Sequence, residues 1–172
     1  DKTGCRATTP IVVTQPAAAI NATATPTNVS CFGLCNGQIV VNPPSGGTPG
    51  YTYSNNGGAY QASNTFTGLC QGAYNISVKD NNGCTFPIAV NITQPTDLTL
   101  AQTAISPATC GLNNGSVTVL AGGGTPGYTY TLGATTNSTG IFGSLSAGPK
   151  VVTVTDSKGC TETAVVTIAP PP

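Results

Sequence analysis

The chain has few side chains that could carry out acid–base or metal chemistry. Its 172 residues include no histidine or methionine and only five acidic residues, three of which, Asp1, Asp80 and Asp156, open the same motif, Asp-x-x-Gly-Cys. General acid–base catalysis requires titratable groups held close together, and a calcium ion requires roughly six to eight oxygen ligands. We therefore predict that the protein is not an enzyme and holds no metal or cofactor. Asp80 and Asp156 are assigned a structural role in turns.

Cysteine is the reactive side chain that the sequence does supply, with seven copies. Zinc sites usually include histidine or Cys-x-x-Cys pairs, whereas the two closest cysteines here are Cys31 and Cys35. We therefore predict disulfide bonds and an oxidising, extracellular compartment. Cys5 is predicted to be unpaired or to form an intermolecular bond. The candidates for disulfide bonding are Cys31, Cys35, Cys70, Cys84, Cys110 and Cys160.

The low charge of the chain excludes two classes of partner. Charged residues make up 6% of the sequence and the formal net charge is zero. Nucleic-acid binding depends on clustered Lys and Arg, and a membrane-spanning helix needs about 18 or more consecutive apolar residues. The sequence has neither feature, so we predict no nucleic-acid partner and no membrane insertion.

The chain repeats itself at a spacing of 76 to 79 residues. The eight letters "GGTPGYTY" occur at 46–53 and again at 123–130, and the Asp-x-x-Gly-Cys motif occurs at 1–5, 80–84 and 156–160. An internal period of this kind indicates a tandem-repeat protein. We therefore predict complete repeats at 17–95 and 96–172. Residues 1–16 are predicted to be the last strand of a preceding repeat, or a strand donated to a neighbouring subunit; we favour the former.

Each copy is predicted to be a small β-sandwich. In the second copy Val117 and Val119 alternate with polar residues, as in a half-buried strand, and segments 150–156 and 161–169 predict a hairpin around "DSKG". Asp at the first position of this turn can accept backbone N–H groups, and glycine at the last tolerates positive φ. The corresponding glycines are Gly83 and Gly159. The pattern predicts an all-β protein of tandem immunoglobulin-like antiparallel β-sandwiches.

Four tyrosines in the repeated motif have two interpretations. Tyr51 and Tyr53, and likewise Tyr128 and Tyr130, lie two residues apart and so on one face of a strand. They could stack on sugars, but tyrosines at this spacing in a small sandwich favour core or cross-strand packing. We prefer the packing role.

The repeat suggests how the cysteines pair. Cys110 and Cys160 are the only cysteines of the second copy, and their equivalents in the first are Cys31 and Cys84. A bond from Cys110 to Cys160 would close a loop of 50 residues and contribute about 4 kcal/mol in the chain-entropy treatment. The first copy has one further pair, which favours a second bridge, although four cysteines allow three connectivities. That pair is Cys35 and Cys70.

The ordered set of motifs resembles the SprB-type repeats of large Bacteroidetes cell-surface adhesins. The resemblance lies in "GGTPGYTY", the Leu-x-x-Gly segments "LCQG" and "LSAG", "VTVTDSKGC" and the closing "TQP". It covers both copies and the 16-residue tail. It implies an extracellular fibre of tandem immunoglobulin-like domains, similar to the gliding-motility adhesin.

Two functions therefore compete. The first is a structural module of an extracellular bacterial filament or adhesin stalk, with neighbouring repeats or identical subunits as partners. The alternative is a ligand- or glycan-binding adhesin module that contacts surface glycans through the loops "NNGGAYQASN" (55–64) and "GATTNSTG" (133–140).

Overall fold

The computed structural model describes residues 10, 11 and 18–170, and every regular element in that part is a β-strand. Cys5 and most of the predicted strand at 1–16 lie outside the described residues. The described part offers no helix long and apolar enough to cross a membrane. The strands are β1 (Ala24–Thr27), β2 (Gly37–Val41), β3 (Thr52–Asn55), β4 (Thr65–Leu69), β5 (Gly72–Lys79), β6 (Thr85–Ile92), β7 (Thr99–Ser106), β8 (Gly115–Gly122), β9 (Thr129–Leu132), β10 (Thr135–Asn137), β11 (Ile141–Leu145), β12 (Gly148–Thr155) and β13 (Thr161–Ile168).

The second copy forms two sheets around one core. One sheet has the order β10-β9-β12-β13 and the other the order β11-β8-β7. Val117 and Val119 of β8 and Val152 and Val154 of β12 belong to one buried cluster, so the inner faces of both sheets contribute to it. The predicted all-β sandwich fold is confirmed, with three- and four-stranded sheets as in immunoglobulin-like domains.

The predicted hairpin of the second copy is also present. Strands β12 and β13 pair antiparallel along their whole length, from Gly148 opposite Ile168 to Thr155 opposite Thr161. Side chains alternate between the faces, so Val152 and Val154 are fully buried while Val151 is 58% exposed. The two adjacent valines Val151 and Val152 therefore lie on opposite faces, and only Val152 enters the core.

The first copy has the same order of strands. Its sheets are β1-β2-β4 and β3-β5-β6, which correspond strand for strand to β7-β8-β11 and β9-β12-β13. Tyr53 of β3 lies opposite Val78 of β5 and also forms an isolated bridge with Gln61, where the second copy has β10. The sequence repeat is therefore a repeat of topology.

The chain divides into two compact units. The first contains the described residues up to Thr25, Val40–Thr65 and Tyr74–Val90, and its buried side chains include Ile20, Val41, Tyr53, Ile76 and Val78. The second contains Pro26–Ile39, Phe66–Ala73 and the described residues from Asn91 onward. It includes the core cluster of the second copy and draws further segments from the first. The domain boundaries at residues 16 and 95 stay a prediction.

We predict that Val154→Ala lowers the free energy of unfolding by about 2–3 kcal/mol, because it removes two buried methyl groups and leaves a cavity. Val151→Ala on the same strand is the matched control, since it makes the same chemical change at an exposed position. Urea unfolding at neutral pH measures both. Equal losses for the two variants would contradict the assignment of the inner face.

Candidate functional site

The repeated Asp-x-x-Gly-Cys motif forms a turn that closes on the carboxylate of its own aspartate. In the second copy, Asp156 Oδ1 accepts hydrogen bonds from the backbone N–H groups of Lys158 (2.8 Å) and Cys160 (2.9 Å). The backbone N–H of Asp156 donates to the carbonyl of Cys160 (2.9 Å). The aspartate side chain thereby fixes the backbone of Cys160.

The same carboxylate binds the other repeated motif. Oδ2 of Asp156 accepts a hydrogen bond from the N–H of Thr125 (2.8 Å), the third residue of "GGTPGYTY". In the first copy, Asp80 accepts equivalent bonds from Thr48 (3.0 Å), Asn82 (3.0 Å) and Cys84 (2.8 Å). The two sequence motifs that mark each repeat are therefore two halves of one structural unit, which we call the aspartate lock.

The glycines of the motif allow this close approach. Gly123 has φ +69°, and a Cβ built on it would lie 1.8 Å from the carbonyl oxygen of Asp97. A Cβ on Gly124 would lie 2.8 Å from Oδ2 of Asp156. Any side chain at either position would displace the loop, which explains why both copies spell Gly-Gly before Thr-Pro-Gly.

Hydrogen bonding keeps the two buried carboxyl groups ionised. At Asp80 the N–H of Thr48 is the largest influence, and with the other turn N–H groups it holds the pKa below the usual value against the opposing effect of burial. At Asp156 burial raises the pKa, but the N–H groups of Thr125, Cys160 and Lys158 together outweigh it and lower it. Both side chains are almost fully buried, and their carboxylate oxygens accept hydrogen bonds from backbone N–H groups.

The four tyrosines of the motif divide into two kinds. Tyr53 and Tyr130 are buried, and the hydroxyl oxygen of Tyr130 accepts a hydrogen bond from the N–H of Ala121 (3.0 Å). Burial is also the main reason that the pKa of Tyr53 is raised, with Tyr51 as the second cause. Tyr51 and Tyr128 donate from their hydroxyls to the carbonyls of Gly46 and Gly123, across the loop.

The disulfide bonds differ from the pairing expected within each copy. Cys160 bonds to Cys31, across 129 residues of sequence, and not to Cys110. The Cα atoms of Cys31 and Cys160 are 5.7 Å apart, within the range that a disulfide requires. Cys84 and Cys110 are exposed and are free cysteines within the described residues. The predicted Cys110–Cys160 bond, and a Cys31–Cys84 bond by analogy, are therefore wrong.

The second bridge in the structure joins Cys35 and Cys70, across 35 residues. Cys31, Cys35, Cys70 and Cys160 all belong to the second compact unit. That unit contains segments from both sequence repeats. The predicted Cys110–Cys160 pairing assumed instead that each repeat is a closed domain. Cys5 lies outside the described residues.

A depression of about 280 Å³ borders the Cys31–Cys160 bond. Its lining includes the apolar side chains of Phe32 and Leu34 and the acidic residues Asp97 and Glu162. Among the described residues there is no group of three potential metal ligands. The depression therefore places the disulfide among both apolar and acidic residues.

Comparison with protein families tests the resemblance seen in the sequence. The family model described as "SprB repeat" matches residues 23–59 and 102–137, once in each copy. Both copies match the SprB repeat. Each SprB match contains "GGTPGYTY" and ends before the Asp-x-x-Gly-Cys motif. The aspartate lock therefore extends beyond the matched ranges.

Two solved structures match most of the length of this chain. The three N-terminal domains of the bacteriophage RB49 highly immunogenic outer capsid protein (Hoc) match with a TM-score of 0.48 and 16% identity, over 88% of this chain and 59% of that one. A C-terminal 282-residue fragment of intimin, in complex with the intimin-binding domain of its translocated receptor Tir, matches with a TM-score of 0.47 and 19% identity, over 88% and 64%. The chain thus spans about three fifths of the length of either. No curated protein matches it.

We predict that Asp156→Asn lowers the melting temperature at pH 7, because a neutral amide accepts the three backbone N–H bonds less well and turns a donor toward one of them. The folded-state pKa of Asp156 lies below its unfolded value of about 3.9. The charged carboxylate therefore stabilises the fold above that value, and the stabilisation is lost as the pH falls through the folded pKa. Melting curves from pH 7 to acid should show the variant and the native protein converging.

The control for this experiment is Asp97→Asn, which makes the same change at an exposed carboxylate. A deficit of Asp156→Asn that stays constant down to strongly acid pH would argue against the charge as its cause.

A tryptic map of the non-reduced, alkylated protein should link peptide 159–172, which contains Cys160, to peptide 7–79, which contains Cys31. Cleavage after Arg6, Lys79, Lys150 and Lys158 separates the cysteines in this way. Peptide 80–150 should be released with alkyl groups on both Cys84 and Cys110. A link between 80–150 and 159–172 would instead join Cys160 to Cys84 or Cys110 and would contradict the Cys31–Cys160 bond. Reduction before digestion is the control.

Proposed function

We propose that the chain is a structural segment of an extracellular bacterial filament or adhesin stalk built from tandem immunoglobulin-like repeats. Two features support this. Both copies match SprB repeats. The acidic side chains that the two copies share, Asp80 and Asp156, accept the hydrogen bonds of the aspartate lock. The observation that carries the proposal is the Cys31–Cys160 bond.

This bond changes how the chain carries a pulling force. A force applied to its two ends passes from residue 31 to residue 160 through the sulfur atoms, because that covalent path is far shorter than the 129-residue path along the backbone. Residues 32–159, which contain β2 to β12, then bear no load. A stalk under tension needs this property, since its domains must not unfold when the cell surface or its target moves.

The alternative, a glycan-binding module, is less well supported by the loop at 55–64. The aromatic side chain in that loop is Tyr60, which is 37% exposed. Lys79 Nζ lies 3.9 Å from the centre of its ring, and its hydroxyl hydrogen-bonds to Ser77 (2.8 Å). One ring face and the hydroxyl are therefore already engaged, so we prefer the structural role.

Single-molecule pulling of the chain by its termini tests the proposal. In the oxidised protein, unfolding should extend only the segments outside 31–160. Added reductant should release about 450 Å of further length, at about 3.5 Å for each of the 129 residues. Release of the same length in both conditions would overturn the load-bearing role.

Two variants sharpen this test. Cys31→Ser combined with Cys160→Ser should extend by about 330 Å more than the native protein even when oxidised, at about 3.5 Å per residue, because only the 35-residue Cys35–Cys70 loop stays closed. Cys84→Ser combined with Cys110→Ser removes two cysteines outside the described bridges. It should behave like the native protein.

A further inference from the structure

The two free cysteines occupy the same structural positions as the two cysteines of the long bridge. Cys84 corresponds to Cys160: the N–H of each donates to Oδ1 of the lock aspartate, at 2.8 and 2.9 Å, and the carbonyl of each accepts from the aspartate N–H, at 3.0 and 2.9 Å. The backbone of Cys84 is thus held by the same hydrogen bonds as the backbone of Cys160.

Cys110 corresponds in the same way to Cys31. Each follows a residue whose N–H donates to an asparagine side chain, Ser30 to Asn36 (3.0 Å) and Thr109 to Asn114 (2.8 Å). The amide groups of these asparagines donate back to the hydroxyls of the same serine and threonine, both at 2.7 Å. The two turns before β2 and β8 therefore share one architecture, and each presents a cysteine.

The bond in the structure joins the first-position cysteine of one copy, Cys31, to the last-position cysteine of the next copy, Cys160. Within the described residues this leaves Cys84 and Cys110 exposed and free. A bond that always runs from one copy to the next would leave this same pair open in any two consecutive copies.

We propose that Cys110 and Cys84 are the sites at which further copies of the repeat are joined covalently. Cys110 bonds to the cysteine of a following copy that is equivalent to Cys84. Cys84 bonds to the cysteine of a preceding copy that is equivalent to Cys110. The inference deepens the proposed stalk function by naming the partner and the bond. It rests on that proposed function, and its bonds are tested separately from the pulling experiment on the single chain.

A neighbouring apolar side chain supports this choice of partner. Leu34 lies two residues before Asn36 and lines the depression beside Cys160. Leu112 lies two residues before Asn114 and is 59% exposed. A leucine near a cysteine is what Leu34 and Cys31 contribute to the wall of that depression, so the exposed Leu112 and Cys110 could contribute the same wall beside the lock of another copy.

Bonds placed in this way would overlap along the polypeptide. Cys110 lies inside the stretch that the Cys31–Cys160 bond spans, so the next bond would begin before the previous one ends. Every backbone segment between bonded copies would then have a second covalent path around it. Cleavage of one peptide bond there would leave the chain connected.

The joining reaction needs an oxidant, for which oxidised glutathione serves. The thiolate of Cys110 attacks glutathione disulfide and releases one reduced glutathione. The thiolate of Cys84 from another copy then attacks the mixed disulfide and releases a second. Two thiols are oxidised, one disulfide is reduced to two glutathione molecules, and both thiol protons are taken up by the released thiolates.

The test uses two variants of the full chain, both with Cys5→Ser: one carries Cys84→Ser and keeps Cys110, and the other carries Cys110→Ser and keeps Cys84. They are incubated alone and mixed in a buffer of reduced and oxidised glutathione. One variant is labelled with 15N, because the linked 80–150 peptides of all three dimers otherwise have the same mass. Non-reducing gels then report the dimers, and the masses of the linked 80–150 peptides report which variants are joined. The Cys31–Cys160 bond, checked in the same maps, shows that each variant is folded.

We expect the mixture to yield a Cys110–Cys84 heterodimer that exceeds either homodimer by about tenfold or more under exchange conditions. Cys5→Ser alone should yield a ladder of dimers, trimers and longer species that reductant collapses. A heterodimer at only about twice each homodimer, as random thiol pairing gives, would overturn the proposal, and so would the absence of the mixed peptide. The pulling experiment depends only on Cys31–Cys160, so either result leaves the stalk proposal separately testable.

Discussion

The buried aspartate of each repeat is the interaction on which the rest of the structure depends. Its carboxylate binds its own turn and the Gly-Gly-Thr-Pro-Gly loop at once, although these are about 30 residues apart in sequence. Because a buried carboxylate without donors is costly, the loop and the turn must form together or not at all. The lock also fixes the backbone of the cysteine that follows, which gives the disulfide its position.

The lock explains how a chain with so little charge keeps a defined shape. The sandwich cores are small and consist mainly of valine and isoleucine, which pack well but specify position weakly. Directional bonds from backbone N–H groups to one carboxylate add that specification at the end of each sandwich. The tyrosines of the same motif complete it, one pair in the cores and the other bonded to the loop carbonyls.

The long disulfide closes one covalent loop across both sequence repeats. A bridge inside one repeat would protect only that repeat, whereas Cys31–Cys160 encloses most strands of both copies in one covalent loop. In the proposed stalk, this bond would carry the load and the hydrogen-bonded sheets would maintain the shape of the domains.

Local patterns in the sequence determined the repeat, the strands and the turns, because each of these depends on residues close together in the chain. The alternation of Val117 and Val119 with Ser116 and Thr118 is enough to predict a half-buried strand, and "DSKG" is enough to predict the hairpin turn. The pairing of Cys160 with Cys31, and the bond from Asp156 to Thr125, were decided only by the tertiary structure. A disulfide requires Cα atoms within a few ångströms of each other, and sequence spacing carries no information about which distant turns the fold brings to that distance.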